Sequence, residues 1–293
     1  MRLSVVVTTY NQPEWLEKVL WGFEAQTFRD FELLIADDGS DDRTRVVIAR
    51  LIPELGYPVR HVWHEHQGFR KCTILNAAIA QSEGEYLFFT DGDCIPRPDL
   101  LRVHHANARK GSFLSGGYLK LPMETSQRIA KDDILAGRAT DYKWLRAHGT
   151  RRSRRLARMK WGPLTSAILD RITTTAPTFN GHNSSVWRED LIAVNGFDER
   201  LEYGGLDREL GERLENAGIK GRQLRHRALV VHLDHKRGYR NAEAMARNRA
   251  IRDEVAAKRI AWAPVGLDRH LAAAAAGTGG AAGVAGAATR VAG

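Results

Sequence analysis

Tyr86-Leu87-Phe88-Phe89-Thr90 runs directly into Asp91-Gly92-Asp93. The apolar run reads as a buried β-strand and the triplet as the turn at its exit. Two carboxylates around a glycine are a poor way to end such a strand, because ionised carboxylates cost heavily to desolvate. One resolution is an ordinary, solvated Asp-Gly turn. The other is a divalent cation that itself carries phosphate oxygens, since such ions take only one or two protein carboxylates. The triplet alone leaves both open.

Working outward, Leu3 to Thr8 and Phe31 to Ala36 are further β-rich apolar runs, and Val59 to Trp63 is a shorter one. Helical patterns lie between them. Pro13 stands at a helix start, and Trp15, Leu16, Val19, Leu20 and Phe23 form an apolar stripe behind it. Arg43 to Leu51 and Thr73 to Ala80 continue the alternation. Strands alternating with helices predict an α/β fold, a mostly parallel sheet flanked by helices on both faces. Such sheets bind ligands beyond the carboxyl ends of their strands. Thr8-Thr9-Tyr10-Asn11, Asp37-Asp38-Gly39-Ser40 and Asp91-Gly92-Asp93 all fall at such ends, so one rim collects three polar clusters.

The 293 residues are 43% hydrophobic, enough for one large core or two smaller ones. Cys72 and Cys94 make no disulfide framework and read as reduced thiols. The chain opens Met1-Arg2 and passes straight into a strand, without a signal peptide or an apolar stretch of membrane-spanning length. These features predict a cytoplasmic protein. The formal charge of +9 favours anionic partners. From Lys143 to Lys160 the basic residues are Lys143, Arg146, Arg151, Arg152, Arg154, Arg155, Arg158 and Lys160, with no acid between them. Trp144, Leu145, Leu156, Met159, Trp161 and Leu164 are interleaved. The stretch 143–161 reads either as a solvated face or as a peripheral anchor to the anionic inner face of the cell membrane. No nucleic-acid motif accompanies it, and no nucleic-acid partner is expected.

Four regions follow. Residues 1–118 form the α/β half. Residues 119–178 are polar, basic and poorly periodic, and read as an insertion or lid. Residues 179–262 regain order, with a helix expected over Asp207 to Ala217, a short strand Leu229-Val230-Val231 delivering His232, and an amphipathic helix over Tyr239 to Lys258. Residues 263–293 become Ala/Gly-rich from Leu271 and read as a disordered tail.

Taken in order, these motifs resemble the GT-A-fold nucleotide-sugar glycosyltransferases of the large inverting family 2. The second half also resembles the C-terminal region of β-1,4-galactosyltransferases and polypeptide N-acetylgalactosaminyltransferases. The resemblance runs from Leu3 to about Lys236 and is weakest over the basic insertion. It implies that Thr8 and Tyr10 hold nucleobase and ribose, and that Asp38 reads the base. A carboxylate there suits the imide N–H of uracil. Asn11, Asp41 and Asp42 read as helix caps or first-turn acids. In Gly68-Phe69-Arg70-Lys71, with Asn76 beyond, Arg70 is implied at the phosphates, ahead of Lys71.

The Asp91-Gly92-Asp93 triplet then matches the family's Asp-X-Asp signature. By that match Asp93 ligates Mn2+ or Mg2+, Asp91 lies by the ribose, and Gly92 permits close backbone approach to the ligand. Tyr203-Gly204-Gly205-Leu206-Asp207 resembles the galactosyltransferase Trp-Gly-Gly-Glu-Asp segment. It makes Asp207 the catalytic base, with Glu209 as the alternative. Leu206 departs from the pattern and removes an acceptor-binding carboxylate. In Val231-His232-Leu233-Asp234-His235-Lys236, either His232 or His235 completes the metal site, a carboxylate–imidazole set that favours Mn2+. His182, Asn183 and Gly205 are implied at the acceptor. Asn195-Gly196-Phe197-Asp198-Glu199 reads as a turn and packing element.

The expected reaction is inverting transfer from a UDP-sugar, UDP-Gal or UDP-GalNAc/GlcNAc, to a hydroxyl of a bacterial glycan, free or lipid-linked. A nucleotide-sugar pyrophosphorylase or nucleotidyltransferase is the competing enzyme class. It would carry a Gly-rich basic loop after the first strand, where this chain has Thr8-Thr9-Tyr10-Asn11. A non-catalytic nucleotide-sugar-binding protein is the other alternative.

Overall fold

The computed structural model describes residues 1–235 and 241–277. Its first half alternates as the periodicity predicts: β1 (Leu3–Thr9), α1 (Pro13–Glu24), β2 (Phe31–Asp37), α2 (Asp42–Leu51), β3 (Val59–Trp63), α3 (Lys71–Gln81) and β4 (Tyr86–Asp91). Then come β5 (Cys94–Pro96), α4 (Leu100–Asn107) and β6 (Ser112–Lys120). The basic region contains α5 (Met123–Arg128), α6 (Lys131–Leu135), α7 (Tyr142–Ala147), α8 (Arg154–Ala157) and α9 (Pro163–Ile172). The last part holds β7 (Ser184–Trp187), α10 (Arg188–Ala193), α11 (Leu206–Asn216), β8 (Lys220–His232), α12 (Ala242–Lys258) and α13 (Leu267–Ala275).

One sheet runs through the molecule in the order β3-β2-β1-β4-β7-β6-β8-β5. β3, β2, β1 and β4 are parallel. β7 joins antiparallel to β4 and β6, β8 runs parallel to β6, and β5 closes antiparallel on β8. Both faces of the central strands are buried, which is why they read as continuous apolar runs. Val5, Val7, Leu33, Ile35 and Phe88 pack beneath α1 and α2, while Val6, Leu34, Leu87 and Phe89 pack beneath α3 and α11.

The structure corrects three expectations. The 119–178 region is a string of short helices rather than an irregular lid. α5 to α8 are four to six residues each, too short for hydrophobic periodicity to register. Their order comes from inward-facing Ile129, Ile134, Leu145 and Leu156, all within 2% of complete burial. Of the apolar residues of 143–161, Leu145, Leu156 and Met159 lie in the core and Trp144 packs against it. β8 is much longer than the expected 229–231 strand. The tail region also begins with structure: α13 packs on α3, with Leu267 fully buried. Gly266 admits this docking, since a Cβ there would lie 2.1 Å from the Asn195 carbonyl oxygen. Residues 278–293 of that region, Lys236, and the 239–240 start of the expected last helix lie outside the described residues.

Asn195 and Gly196, both at positive φ, form the turn that receives this segment. The Asn195 side chain donates to Ala263 O at 2.8 Å and accepts from Asp268 N at 2.7 Å. Asn76 fastens the same region, donating to Phe197 O at 2.8 Å and accepting from Phe197 N at 2.9 Å. Beneath lies a fully buried ion pair on α11. Arg213 Nε donates to Glu209 Oε1 at 2.6 Å, and the guanidinium also donates to Val194 O and Gly196 O. Removing one partner of such a pair leaves an uncompensated buried charge. Arg213→Met is expected to destabilise the fold by roughly 3–5 kcal/mol, measured by urea unfolding, and joint replacement with Glu209→Leu to cost less. Equal stability of wild type and Arg213→Met would refute this account of the pair.

Candidate active site

The strand ends open on a cleft of ≈ 790 Å3, within the range of ligand sites. Its floor comes from the loops after β1, β2 and β4, its far wall from the end of β8 and the start of α11. The register sets the near side: Thr8 lies beside Asp91, and Thr9 beside Asp37. Gly92 N donates to Thr8 O at 2.7 Å, and a Cβ on Gly92 would stand 2.9 Å from that oxygen. The close approach of β1 to this position therefore requires a glycine at 92.

Asp91 is held by two donors. Lys71 Nζ reaches Oδ1 at 2.6 Å and Thr8 Oγ1 reaches it at 2.8 Å. Burial pushes the Asp91 carboxyl up, but Lys71 outweighs it and holds Asp91 well below the usual carboxylate range. Burial alone would depress Lys71. Asp91, Asp207 and Asp93 reverse this and keep it charged. Lys71 opens α3 and lines the cleft. Arg70 does not: its Nη2 donates to Glu65 O, and its backbone N–H to Asp38 Oδ2 at 3.0 Å. The basic side chain that lines the cleft here is thus Lys71, one residue beyond Arg70.

Asp38 lines the cleft with its carboxylate also bonded to His64 at 2.7 Å. Asp37 turns the other way, taking Ser40 N at 2.8 Å and His61 at 3.0 Å. Tyr10 is exposed at the mouth and stacks on His66, with centroids 4.8 Å apart and planes 18° apart. Sequence reasoning passed over His66, whose ring no motif distinguishes. Asn11 does not cap α1: it accepts from Asp41 N at 2.8 Å and ties the β1 and β2 loops together.

On the far side, β5 pairs with the end of β8, setting Cys94 opposite His232. Leu233 N donates to Asp93 O at 2.8 Å. This pairing delivers two imidazoles to one carboxylate: His235 Nε2 is 2.9 Å and His232 Nε2 3.7 Å from Asp93 Oδ2. The two rings are parallel within 6°. One hard oxygen and two borderline nitrogens converging on a cleft fit a divalent cation of the Mn2+ class. Cys94 Sγ lies in the same cluster. Burial, then Asp93 and Asp91, push its thiol well up, and it donates to Asp93 Oδ1 at 3.2 Å. Cys94 therefore orients the carboxylate from behind.

Asp207 stands in the first turn of α11, after Gly204 and Gly205 at φ +110° and +92°. Left-handed backbone of that kind favours glycine. The Asp207 side chain lies against Gly181, where a Cβ would be 2.6 Å from Oδ1. That Oδ1 is buried and has no hydrogen-bond partner. Burial raises the Asp207 carboxyl above its usual range, and Asp91 adds to the rise, against the pull of Lys71 and of the Gly181 N–H. Glu209 is buried in its ion pair with Arg213, away from the cleft, so the alternative base is excluded by geometry.

His182 lines the cleft edge-on to Tyr118, centroids 4.6 Å apart, and burial draws its imidazole down to about 4. Asn183 departs from expectation. It is fully buried, donating to Gly117 O and Ala228 O and paired with His104 Nε2 at 2.9 Å, so it braces β6 against β8 and does not reach an acceptor.

The family model of glycosyl transferase family 2 matches residues 4–192. A model described as the N-terminal domain of galactosyltransferase matches residues 166–236. An uncharacterized glycosyltransferase of Nostoc sp. is 32% identical over 102 residues, 35% of this chain and 31% of the relative. Validoxylamine A glucosyltransferase of Streptomyces hygroscopicus subsp. jinggangensis is 28% identical over 232 residues, 74% of this chain and 52% of the relative. The chain thus spans about a third to a half of the length of these curated relatives. Among solved structures, mannosyltransferase PcManGT from Pyrobaculum calidifontis, in complex with GDP-Man and Mn2+, superposes with a TM-score of 0.56 at 21% identity, covering 94% of this chain and 73% of that one. S. aureus TarS 1–349 gives 0.58 at 16% identity, covering 92% and 68%. These likenesses establish the GT-A fold, and the family match, which takes in every strand of the cleft's near side, makes this chain a member of glycosyl transferase family 2.

Proposed function

We propose that the chain is a metal-dependent inverting glycosyltransferase that takes its sugar from a UDP-sugar and delivers it to a hydroxyl. One observation carries the reading: a carboxylate with a bare, buried oxygen, Asp207, shares one cleft with the Asp93, His232 and His235 cluster. Asp93, His232 and His235 would hold the metal. A divalent cation bound there supplies Lewis-acid stabilisation of a departing diphosphate. Lys71 keeps a fixed positive charge on the phosphate side and keeps Asp91 ionised. Tyr10 and His66 offer a stacking face to a base, and Asp38 an acceptor for its imide N–H.

The acceptor hydroxyl oxygen attacks the anomeric carbon from the Asp207 side. The new C–O bond forms as the bond to the diphosphate oxygen breaks, the electron pair leaves with the diphosphate, and the hydroxyl proton passes to Asp207. Single displacement inverts the anomeric carbon. A raised pKa brings the base closer to the operating pH, where general-base catalysis is most effective. UDP-Gal and UDP-GalNAc/GlcNAc are the donors to screen first, using slow hydrolysis as the readout before an acceptor is known.

Asp207→Asn preserves shape and removes the base. Transfer is expected to fall by at least about a hundredfold while UDP affinity stays within twofold. The wild-type rate is lost as pH falls through the raised Asp207 pKa, so its acidic limb should sit above the ordinary carboxylate range. Near-normal turnover of Asp207→Asn would remove Asp207 from this role. For the metal, His232→Ala and His235→Ala should each weaken Mn2+ binding by at least tenfold, followed by electron paramagnetic resonance. Unchanged binding in both variants would place the metal elsewhere.

Among the described residues no helix is long and apolar enough to cross a membrane. Peripheral contact remains part of this proposal, moved from 143–161 to α9. Leu164, Ile168 and Ile172 recur every fourth residue there and are 76%, 51% and 66% exposed. Arg171 lies on the same helix, and the exposed Arg151, Arg152 and Arg154 precede it. Vesicles with anionic lipid should sediment the protein at physiological salt, and replacing Leu164, Ile168 and Ile172 together by Ser should abolish this. Failure of the wild type to sediment would end the membrane reading.

A further inference from the structure

Past Asp207 the cleft continues into a second hollow of ≈ 340 Å3, sharing Tyr118, His182, Gly205 and Asp207 with the first. Its outer wall carries four arginines, Arg155, Arg158, Arg208 and Arg225, and its single acidic residue is Asp207. A break in strand pairing places Arg225 in this wall. Between β6 and β8 the register jumps from Gly116 opposite Leu224 to Gly117 opposite Leu229. Residues 225–228 are thereby looped out of the ladder. Gly117 permits the loop, because a Cβ there would lie 2.2 Å from Arg225 O.

The positive charge is under-compensated. Arg158 is only 9% exposed, and no carboxylate lies within ion-pair distance of it among the described residues. Burial lowers its guanidinium to about 10, and Arg225 and Arg155 push the same way. Asp170 is the nearby opposing charge, but His226 and Arg227 already hold both of its oxygens, at 2.9 and 2.8 Å. Arg155 lies over the Tyr118 ring at 4.8 Å, and Arg225 donates to Thr175 Oγ1. Buried guanidinium without a carboxylate is costly, and an oxyanion matches its fork of donors.

The same hollow also holds bare acceptors. Asn180 Oδ1, Gln223 Oε1 and Asp207 Oδ1 are buried without a hydrogen-bond donor. Amide and carboxylate oxygens in that state call for O–H donors. Guanidinium groups able to take an anion stand beside lone pairs able to take hydroxyls, with Asp207 shared by this hollow and the main cleft.

We propose that the acceptor is an anionic sugar or polyol, its phosphate or carboxylate seated against Arg158 and Arg225 and its hydroxyl presented to Asp207. This rests on the reading of Asp207 as the base that faces the acceptor.

The test uses the full chain saturated with UDP and Mn2+, so that the donor's own phosphate site is filled. Binding of glucose, glucuronate and glucose 6-phosphate is measured by ligand-observed NMR. At least one anionic sugar should bind roughly tenfold or more tightly than glucose, and whichever it is tells carboxylate from phosphate. Arg158→Gln and Arg225→Gln should each remove most of that preference, while Arg158→Lys retains part of it. UDP affinity reports whether each variant is folded, and Arg225, only half-buried, is the safer of the two sites. Equal or absent binding of all three sugars, or undiminished preference in both Gln variants, overturns the proposal. Loss of phosphatidylglycerol-vesicle binding in those variants, with no sugar bound by the wild type, assigns the hollow to a lipid headgroup and overturns it too. If UDP itself does not bind, the donor reading fails, and the charge preference is then read on the protein without UDP.

Discussion

β5 lies antiparallel on the last residues of β8, and the Leu233 N–H donates to the Asp93 carbonyl. That short pairing carries the rest of the site. It turns a strand-end carboxylate toward two imidazoles that follow it by about 140 residues of chain. It also adds β5 at the edge of the sheet, beside a cleft that the rim of β1, β2 and β4 shares with the start of α11. Without it, Asp93 would be one more acid in an exposed turn. With it, carboxylate and imidazoles form a cation-ready cluster on one wall of a cleft whose other wall holds Asp207.

Charge balance explains how such a cleft persists in a folded chain. Asp38, Asp91, Asp93 and Asp207 all line it, and like carboxylates crowded together resist ionisation. Each is handled differently. Asp38 is bonded by His64 and a backbone N–H, Asp91 by Lys71 and Thr8, and Asp93 by His235 and the Cys94 thiol. Among these four, Asp207 alone keeps a buried oxygen unmatched, and burial raises its carboxyl. The asymmetry separates roles that the residue types do not. The second hollow inverts the pattern, with guanidinium groups in excess around the same Asp207. The molecule is thus rich in carboxylates in the first hollow and in guanidinium groups in the second.

Much of the near side was legible from residues alone. Period-two and period-3.6 patterns placed β1, α1, β2, α2, α3 and β4 within a residue or two, because long elements buried on one or both faces leave strong periodic signals. Strand ends then located Thr8, Asp38 and Asp91, since a parallel sheet gathers its strand ends on one edge. Other features are set by the tertiary fold. Arg70 and Lys71 are neighbours in a helix start, and only the turn geometry decides which points into the cleft. Asn183 and Glu209 looked like site residues because of their neighbours, yet both are core residues whose polar atoms are consumed by Gly117, Ala228, His104 and Arg213. The basic stretch 143–161 looked amphipathic, but Leu145, Leu156 and Met159 lie in the core, and an exposed apolar face lies on α9.

The sequence by itself determined the fold class, the strand-end rim and the family, because periodicity and local motifs are properties of short contiguous segments. Tertiary structure alone decided which histidines meet Asp93, that Lys71 is the cleft's cation, that Asp207 keeps a bare oxygen, and that four arginines close around its far side. Each of these depends on contacts between residues remote in the chain, and on which polar atoms burial leaves unmatched. Such pairings are settled only when the chain packs and desolvation selects among them.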